Sequence, residues 1–156
     1  MKIRPYNAND KQACITVFKS NMPKYFGTAE LPDFDKFLDD YLSRNTAPET
    51  EQYYVISLDD TVIGCGGYHI DRHKMEASLT WGMVDQQYHK QGIGKRLFVY
   101  RVMAIQEVCP ACRIRLDTSQ HVFPFFEKLG FVITGITTDG YGQGLDKYDM
   151  ELKGTR

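Results

Sequence analysis

No stretch of this sequence stays apolar long enough to cross a membrane, and the opening Met1-Lys2-Ile3-Arg4-Pro5 lacks the apolar run of a secretory signal. A cytoplasmic location is the expectation. Charge of one sign is missing too: 19 Lys and Arg against 20 Asp and Glu leave a net charge of −1. Such a balance gives no broad positive field, so neither nucleic acid nor a membrane is expected as a partner. Cysteine is sparse, limited to Cys14, Cys65, Cys109 and Cys112. A chain of 156 residues with 42% hydrophobic composition can close a substantial core without disulfide staples. Repeats and linkers are absent as well. Residues 1–156 are read as a single domain, monomeric or homodimeric.

Several ligand signatures are also missing. The Walker pattern GxxxxGK[ST] is broken, because Arg96 follows Gly94-Lys95 and position 89 is His89 rather than glycine. The dinucleotide pattern GxGxxG fails at Leu97. Cys109-Pro110-Ala111-Cys112 has CxxC spacing, but no second ligand pair follows to complete a zinc site. It ends a helix before a strand, whereas a thioredoxin-type pair stands between a strand and a helix start. The two cysteines are read as incidental thiols in a connection, and no metal is expected.

What is present is a clear alternation of periods. Lys2 to Tyr6 reads as a strand, and Asn7 to Asp10 supplies capping residues for a helix through Ala13, Val17 and Phe18. Asp33 can cap a second helix, with Phe34, Phe37, Leu38, Tyr41 and Leu42 at helical spacing; Asn45 to Thr50 follows as a loop. Tyr53 to Leu58 and Val62 to Ile70 form a hairpin about Asp59-Asp60. Gly64, Gly66 and Gly67 leave its second strand bare, which points to a bulge or a ligand passing close. Met75 to Val84 is the next strand. A helix from about Ile93 to Val108 would bury Ile93, Leu97, Tyr100, Ala104 and Val108. Then come a strand at Arg113 to Asp117, a short helix closed by Gly130, and a strand at Phe131 to Thr137. A flexible tip from Thr138 to Gly144 leads to the last strand, Lys147 to Lys153.

The stretch between Val84 and Leu97 organises the rest. A strand enters a polar turn, Gly92 and Gly94 follow, and a long helix begins. Glycine lets the backbone approach a ligand, and a helix start directs unpaired N–H groups and positive dipole at it. With Lys90, Lys95 and Arg96 alongside, this is a phosphate site. Gln91-Gly92-Ile93-Gly94-Lys95 resembles the pyrophosphate loop of the GNAT acetyltransferase family, although His89 stands where Gln or Arg is usual. Phe125-Phe126-Glu127-Lys128-Leu129-Gly130-Phe131 resembles a second signature of that family, "FYEKLGF". The order of elements agrees over nearly the whole chain. The resemblance implies an α/β fold of the mixed α+β kind: a central, mostly antiparallel sheet with a splayed parallel pair, flanked by about four helices.

The resemblance also implies a reaction, the direct transfer of acetyl from acetyl-CoA to a primary amine of a small molecule or peptide. Backbone N–H groups from Gln91, Gly92, Ile93, Gly94 and Lys95 would hold the pyrophosphate of coenzyme A. Backbone groups of Met83 and Val84 would pair with the pantetheine arm, and an N–H near Met83 would face the thioester oxygen. Ser119 and Phe126 fall at positions where relatives touch the cofactor, and Phe126 replaces the tyrosine that often protonates the leaving thiolate. Glu76, on the strand face of Ser78 and Thr80, is the candidate base, with a solvated surface charge as its alternative. Tyr141 in the tip is the candidate acid. The acceptor would lie between Tyr25, Phe26, Phe34 and Tyr41 on one side and Tyr141 on the other. Asp33, Asp35, Asp39 and Asp40 stand nearby, most of them on a solvated face. The missing motif tyrosine and the His89 substitution leave open a second reading, a non-catalytic acyl-CoA-binding sensor.

Overall fold

In the computed structural model residues 1–44, 47 and 49–154 are described. Part of the loop expected between Asn45 and Thr50 lies outside them. The elements follow the expected order: β1 (Lys2–Pro5), α1 (Lys11–Ser20), α2 (Leu31–Ser43), β2 (Glu51–Leu58), β3 (Thr61–Asp71) and β4 (Glu76–Val84). The second half carries α3 (Ile93–Val108), β5 (Arg113–Thr118), α4 (Phe123–Lys128), β6 (Phe131–Gly142) and β7 (Leu145–Leu152). The strands form one seven-stranded sheet in the order β1-β2-β3-β4-β5-β7-β6. Every neighbouring pair is antiparallel except β4 with β5. Asp59 and Asp60 both adopt positive φ (50° and 65°), the backbone of the tight turn that joins β2 and β3.

Two cores cover the two faces. On one, Cys14, Val17 and Phe18 of α1 and Phe34 and Leu38 of α2 pack on Tyr53, Val55, Cys65 and Met83. On the other, Phe98 and Ile105 of α3 pack on Tyr54, Tyr68, Ala77, Ile114, Leu116 and Met150. Each fully buried large side chain contributes about 1.5–3 kcal/mol, and both layers are needed to hold the sheet between them. Among the described residues no helix is long and apolar enough to cross a membrane.

Four expectations need correction. Asp33 does not cap α2, which starts two residues earlier, with Pro32 in its first turn. The glycine-rich tip is mostly strand, because β6 continues to Gly142 and pairs there with Leu145. The buried stripe of α3 is Ile93, Leu97, Phe98, Arg101 and Ile105, while Tyr100 faces outward. Finally, Cys109 and Cys112 are joined by a disulfide and both are buried, rather than standing as two incidental thiols. Replacing both with serine opens only a very short loop, so the expected loss is at most about 2 kcal/mol, read from the urea midpoint. A larger loss would mean that the pair organises the connection from α3 to β5.

Candidate active site

The site begins with a fault in the sheet. Between Cys65↔Met83 and Gly67↔Thr80, β3 carries one residue and β4 carries two, Trp81 and Gly82. That extra residue is a β-bulge, which bends its strand. Trp81 takes positive φ (39°), and its carbonyl accepts a hydrogen bond from the Tyr53 hydroxyl at 2.8 Å. The Trp81 ring is anchored among Phe18, Phe26, Phe34 and Phe37. Bent in this way, β4 pairs with β5 only over Glu76–Ser78 against Arg113–Arg115. Beyond Ser78 the two parallel strands run unpaired, and the sheet opens as a wedge towards their C-terminal ends. The bare glycines of β3 serve this packing. A Cβ at Gly64 would meet Ile56, one at Gly66 the Arg101 guanidinium, and one at Gly67 the Gln52 carbonyl. They were expected to mark a bulge or a ligand passing close; the close neighbour is the protein itself, and the bulge beside them lies on the facing strand β4.

At the mouth of the wedge lies the anion pole. Gly92 adopts positive φ (80°) and precedes α3, whose first backbone bond runs from Arg96 N–H to the Gly92 carbonyl. The amides of Ile93, Gly94 and Lys95 therefore have no acceptor within the helix. A Cβ at Gly94 would lie 3.5 Å from Phe125 and 3.9 Å from Val84, an ordinary contact on both sides. The preceding turn is pinned by His89, whose Nε2 lies 2.8 Å from the Val84 carbonyl. A carbonyl only accepts, so Nε2 carries the proton. The same carbonyl accepts from Asn21 Nδ2 at 3.0 Å. Val84 thus turns its backbone away from β3, whereas Asp85 N–H donates back to Ile63 at 2.7 Å. By the alternation of an antiparallel ladder, the N–H of Val84 shares its carbonyl's side and Met83 faces β3. Of the two residues expected along the wedge, Met83 and Val84, it is Val84 whose N–H points away from β3. The Val84 carbonyl is already engaged.

Carboxylates gather on the other wall. Tyr141 donates its hydroxyl proton to Asp117 near the end of β5. Burial and that carboxylate push the tyrosine well above its ordinary pKa, so it stays protonated. Glu30, in the short turn before α2, is 8% exposed and accepts the Gly27 N–H at 2.8 Å. Burial, opposed by that N–H and aided by Asp117 and Asp33, lifts it to about 7. A Cβ on Gly27 would stand 3.2 Å from the Tyr141 carbonyl, so the α1–α2 connection touches the β6–β7 hairpin. Tyr25 spans the mouth, edge-on to His89 at 5.3 Å and to His121 at 6.3 Å.

The remaining expected residues divide. Glu76 sits at the closed end of the wedge, bound to Arg113 at 3.3 Å. It is seven residues from Met83, about 23 Å of extended strand, and is not brought to the bulge. Ser119 is only 2% exposed, and its hydroxyl accepts the His121 N–H at 3.3 Å, a local capping bond. Phe126 packs against Phe98 and Phe131, leaving Phe125 as the ring beside Gly94. Phe26 and Phe34 stack on Phe18 in the core, and the Tyr41 hydroxyl accepts from Tyr53 N–H. Only Tyr25 of that aromatic set reaches the mouth. Asp35 and Asp39 pair with Lys11, and Asp40 with Lys36, on the outer face of α2.

Comparison with known proteins agrees with this geometry. Residues 49–133, more than half of the chain, match the family model described as Acetyltransferase (GNAT) domain. A GNAT-family protein from Desulfovibrio desulfuricans superposes with a TM-score of 0.78 at 21% identity, over 97% of each chain. An aminoglycoside 6'-N-acetyltransferase in complex with coenzyme A gives 0.71 at 17% identity, over 97% of this chain and 96% of the other. The ribosomal-protein-S18-alanine N-acetyltransferase from Escherichia coli gives 0.75 at 16%, over 97% and 92%. At these identities the superpositions speak for the fold alone. No curated protein sequence matches.

Proposed function

The chain belongs to the GNAT acetyltransferase family, and from that premise we propose that it moves acetyl from acetyl-CoA directly to a primary amine of a small molecule or peptide. The observation that carries this reading is the wedge itself, with unpaired amides at its mouth and a proton-accepting carboxylate on its far wall. The residues fit the donor. Ile93, Gly94 and Lys95 offer N–H groups for a pyrophosphate, backed by the helix dipole. The β4 edge beyond Ser78 has no partner strand, and the hydroxyl of Thr80 on that edge is buried without a hydrogen bond. Bound there, acetyl-CoA supplies an acetyl group activated as a thioester.

The other tasks fall to the protein. Val84 N–H is placed to donate to the thioester oxygen, a fixed dipole that needs no reorganisation. Glu30, lifted to about 7, is poised to take a proton from an incoming ammonium, and we assign it the role first expected of Glu76. Glu76 is occupied by Arg113. Tyr141 holds its proton tightly and shares it with Asp117, so its hydroxyl orients the acceptor rather than serving as a ready acid. The loop amides from Gln91 to Lys95 are kept as the proposed phosphate donors.

A turnover screen with polyamines, aminoglycosides, amino acids and peptides, following amine-dependent release of the free thiol, tests the proposal. Release with at least one amine class is the expected result. Tight acetyl-CoA binding with no release across the panel would favour the acyl-CoA sensor, the reading kept open by Phe126 and by the engaged Tyr141 hydroxyl.

A further inference from the structure

Arg101 is the one charged member of the buried stripe of α3, between Leu97 and Ile105. It is 4% exposed. Its guanidinium occupies the space that side chains on two strands would fill: a Cβ at Gly82 would lie 2.8 Å from Nη2, and one at Gly66 3.2 Å from Cζ. Nη1 donates to the Gly67 carbonyl at 3.3 Å, and Nε is buried with no partner. Among the described residues it forms no ion pair. Burial draws its pKa down to about 10, which still leaves it a cation at neutral pH. A cation without a counter-ion is costly in a protein interior, and an apolar side chain of similar volume is commonly the more stable choice. Stability does not account for it.

Its position does. Gly82 belongs to the bulge, and the β4 edge facing the wedge is built from the same short segment. We propose that Arg101 is a positioning residue for acyl transfer, a buried cation that seats the β4 bulge and favours negative charge on sulfur at the open edge. This rests on the acetyltransferase reading above. In that reaction the amine nitrogen bonds to the acetyl carbon, the C–S bond breaks, and its electron pair stays on sulfur. One ammonium proton passes to Glu30 or to water before attack, and the second N–H proton, lost as the amide forms, passes to water. Charge therefore appears on the sulfur, next to a backbone segment with a fixed cation behind it. Such a cation acts through a poorly screened interior and does not reorient during reaction. The other titratable groups around it are Tyr53, raised by burial, and Cys65 with its neighbour Cys14. Across the wedge stand the carboxyl groups of Asp117 and Glu30, which oppose an anion when ionised, while Tyr141 beside them keeps its proton and is neutral. The Arg101 cation counters them.

The test titrates the thiol of bound coenzyme A by its thiolate ultraviolet absorbance, in wild type and in Arg101→Met. The expected result is a bound thiol that ionises about one pH unit higher in the variant, with Arg101→Lys close to wild type. Turnover at saturating acetyl-CoA should fall about tenfold in Arg101→Met, while its melting temperature holds or rises. If Arg101→Met fails to fold, Arg101→Gln is titrated in the same way, since it keeps a hydrogen-bond donor without the charge. An identical thiol titration in wild type and a folded neutral variant would overturn the proposal and leave Arg101 a packing residue. Failure of wild type to bind coenzyme A would instead overturn the transferase reading, and this proposal with it.

Discussion

Glu30→Gln is expected to lower turnover by about 10²- to 10⁴-fold, the usual worth of a placed general base, with acetyl-CoA affinity nearly unchanged. The amide side chain keeps the shape and can still accept the Gly27 N–H, so the fold has no reason to fail. In wild type, activity should rise with pH through about 7, following ionisation of Glu30, and the variant should lose that rise. Stability carries an independent sign. The folded pKa of Glu30 stands above its unfolded value, so the stabilising contribution is present below the unfolded pKa. It is lost as pH rises through about 7. Glu30→Gln should therefore be relatively more stable at pH 8 than at pH 5, by at most about 1.4 kcal/mol per pH unit in that window. Glu76→Gln is the control and should leave turnover unchanged from pH 6 to 9. A Glu76→Gln enzyme that loses activity while Glu30→Gln keeps it would restore the first assignment.

Gly94→Val should raise the acetyl-CoA dissociation constant at least tenfold, about 1.4 kcal/mol, in a protein that stays folded. Gly94 lies in the first turn of α3, and the nearest atoms to its Cβ leave ordinary contact distance. Valine is at least as good a helix former as glycine, so local stability is not lost. The penalty must then come from the ligand side, where the added methyls crowd the exposed amides of Ile93 to Lys95. Gly92 is a poorer test, because its φ of 80° strains any side chain whether or not a ligand binds. Unchanged affinity in folded Gly94→Val would remove the pyrophosphate from this loop.

Local pattern carried most of the fold. The α3 boundaries, the Asp59-Asp60 turn and the closing Gly130 depend on neighbours along the chain, and all could be read from it. The site depends on contacts between distant segments, which local pattern does not report. Arg101 sits at the same four-residue spacing as Ile93, Leu97 and Ile105, but arginine is rarely fully buried, so the spacing alone did not place it in the stripe. The bare glycines of β3 signalled a close neighbour but not which one, and the neighbour of Gly66 proved to be that arginine. Glu30 had a signal as well: Gly27-x-x-Glu30 has the spacing of a capping box, and the carboxylate does bond back to Gly27 N–H. Its burial against the β6–β7 hairpin could not be foreseen. Glu76 shared the expected strand face with Ser78 and Thr80, but a strand has two ends. The Trp81-Gly82 bulge opens the sheet at the other one.

Residue-resolved amide exchange with and without acetyl-CoA tests the wedge most directly. The account predicts new protection at Val84 and at Ile93, Gly94 and Lys95, with little change in the outer groove between α1 and α2 at Lys11, Lys19 and Asp35. Saturation with acetyl-CoA that left Val84 and the first turn of α3 unprotected would contradict it.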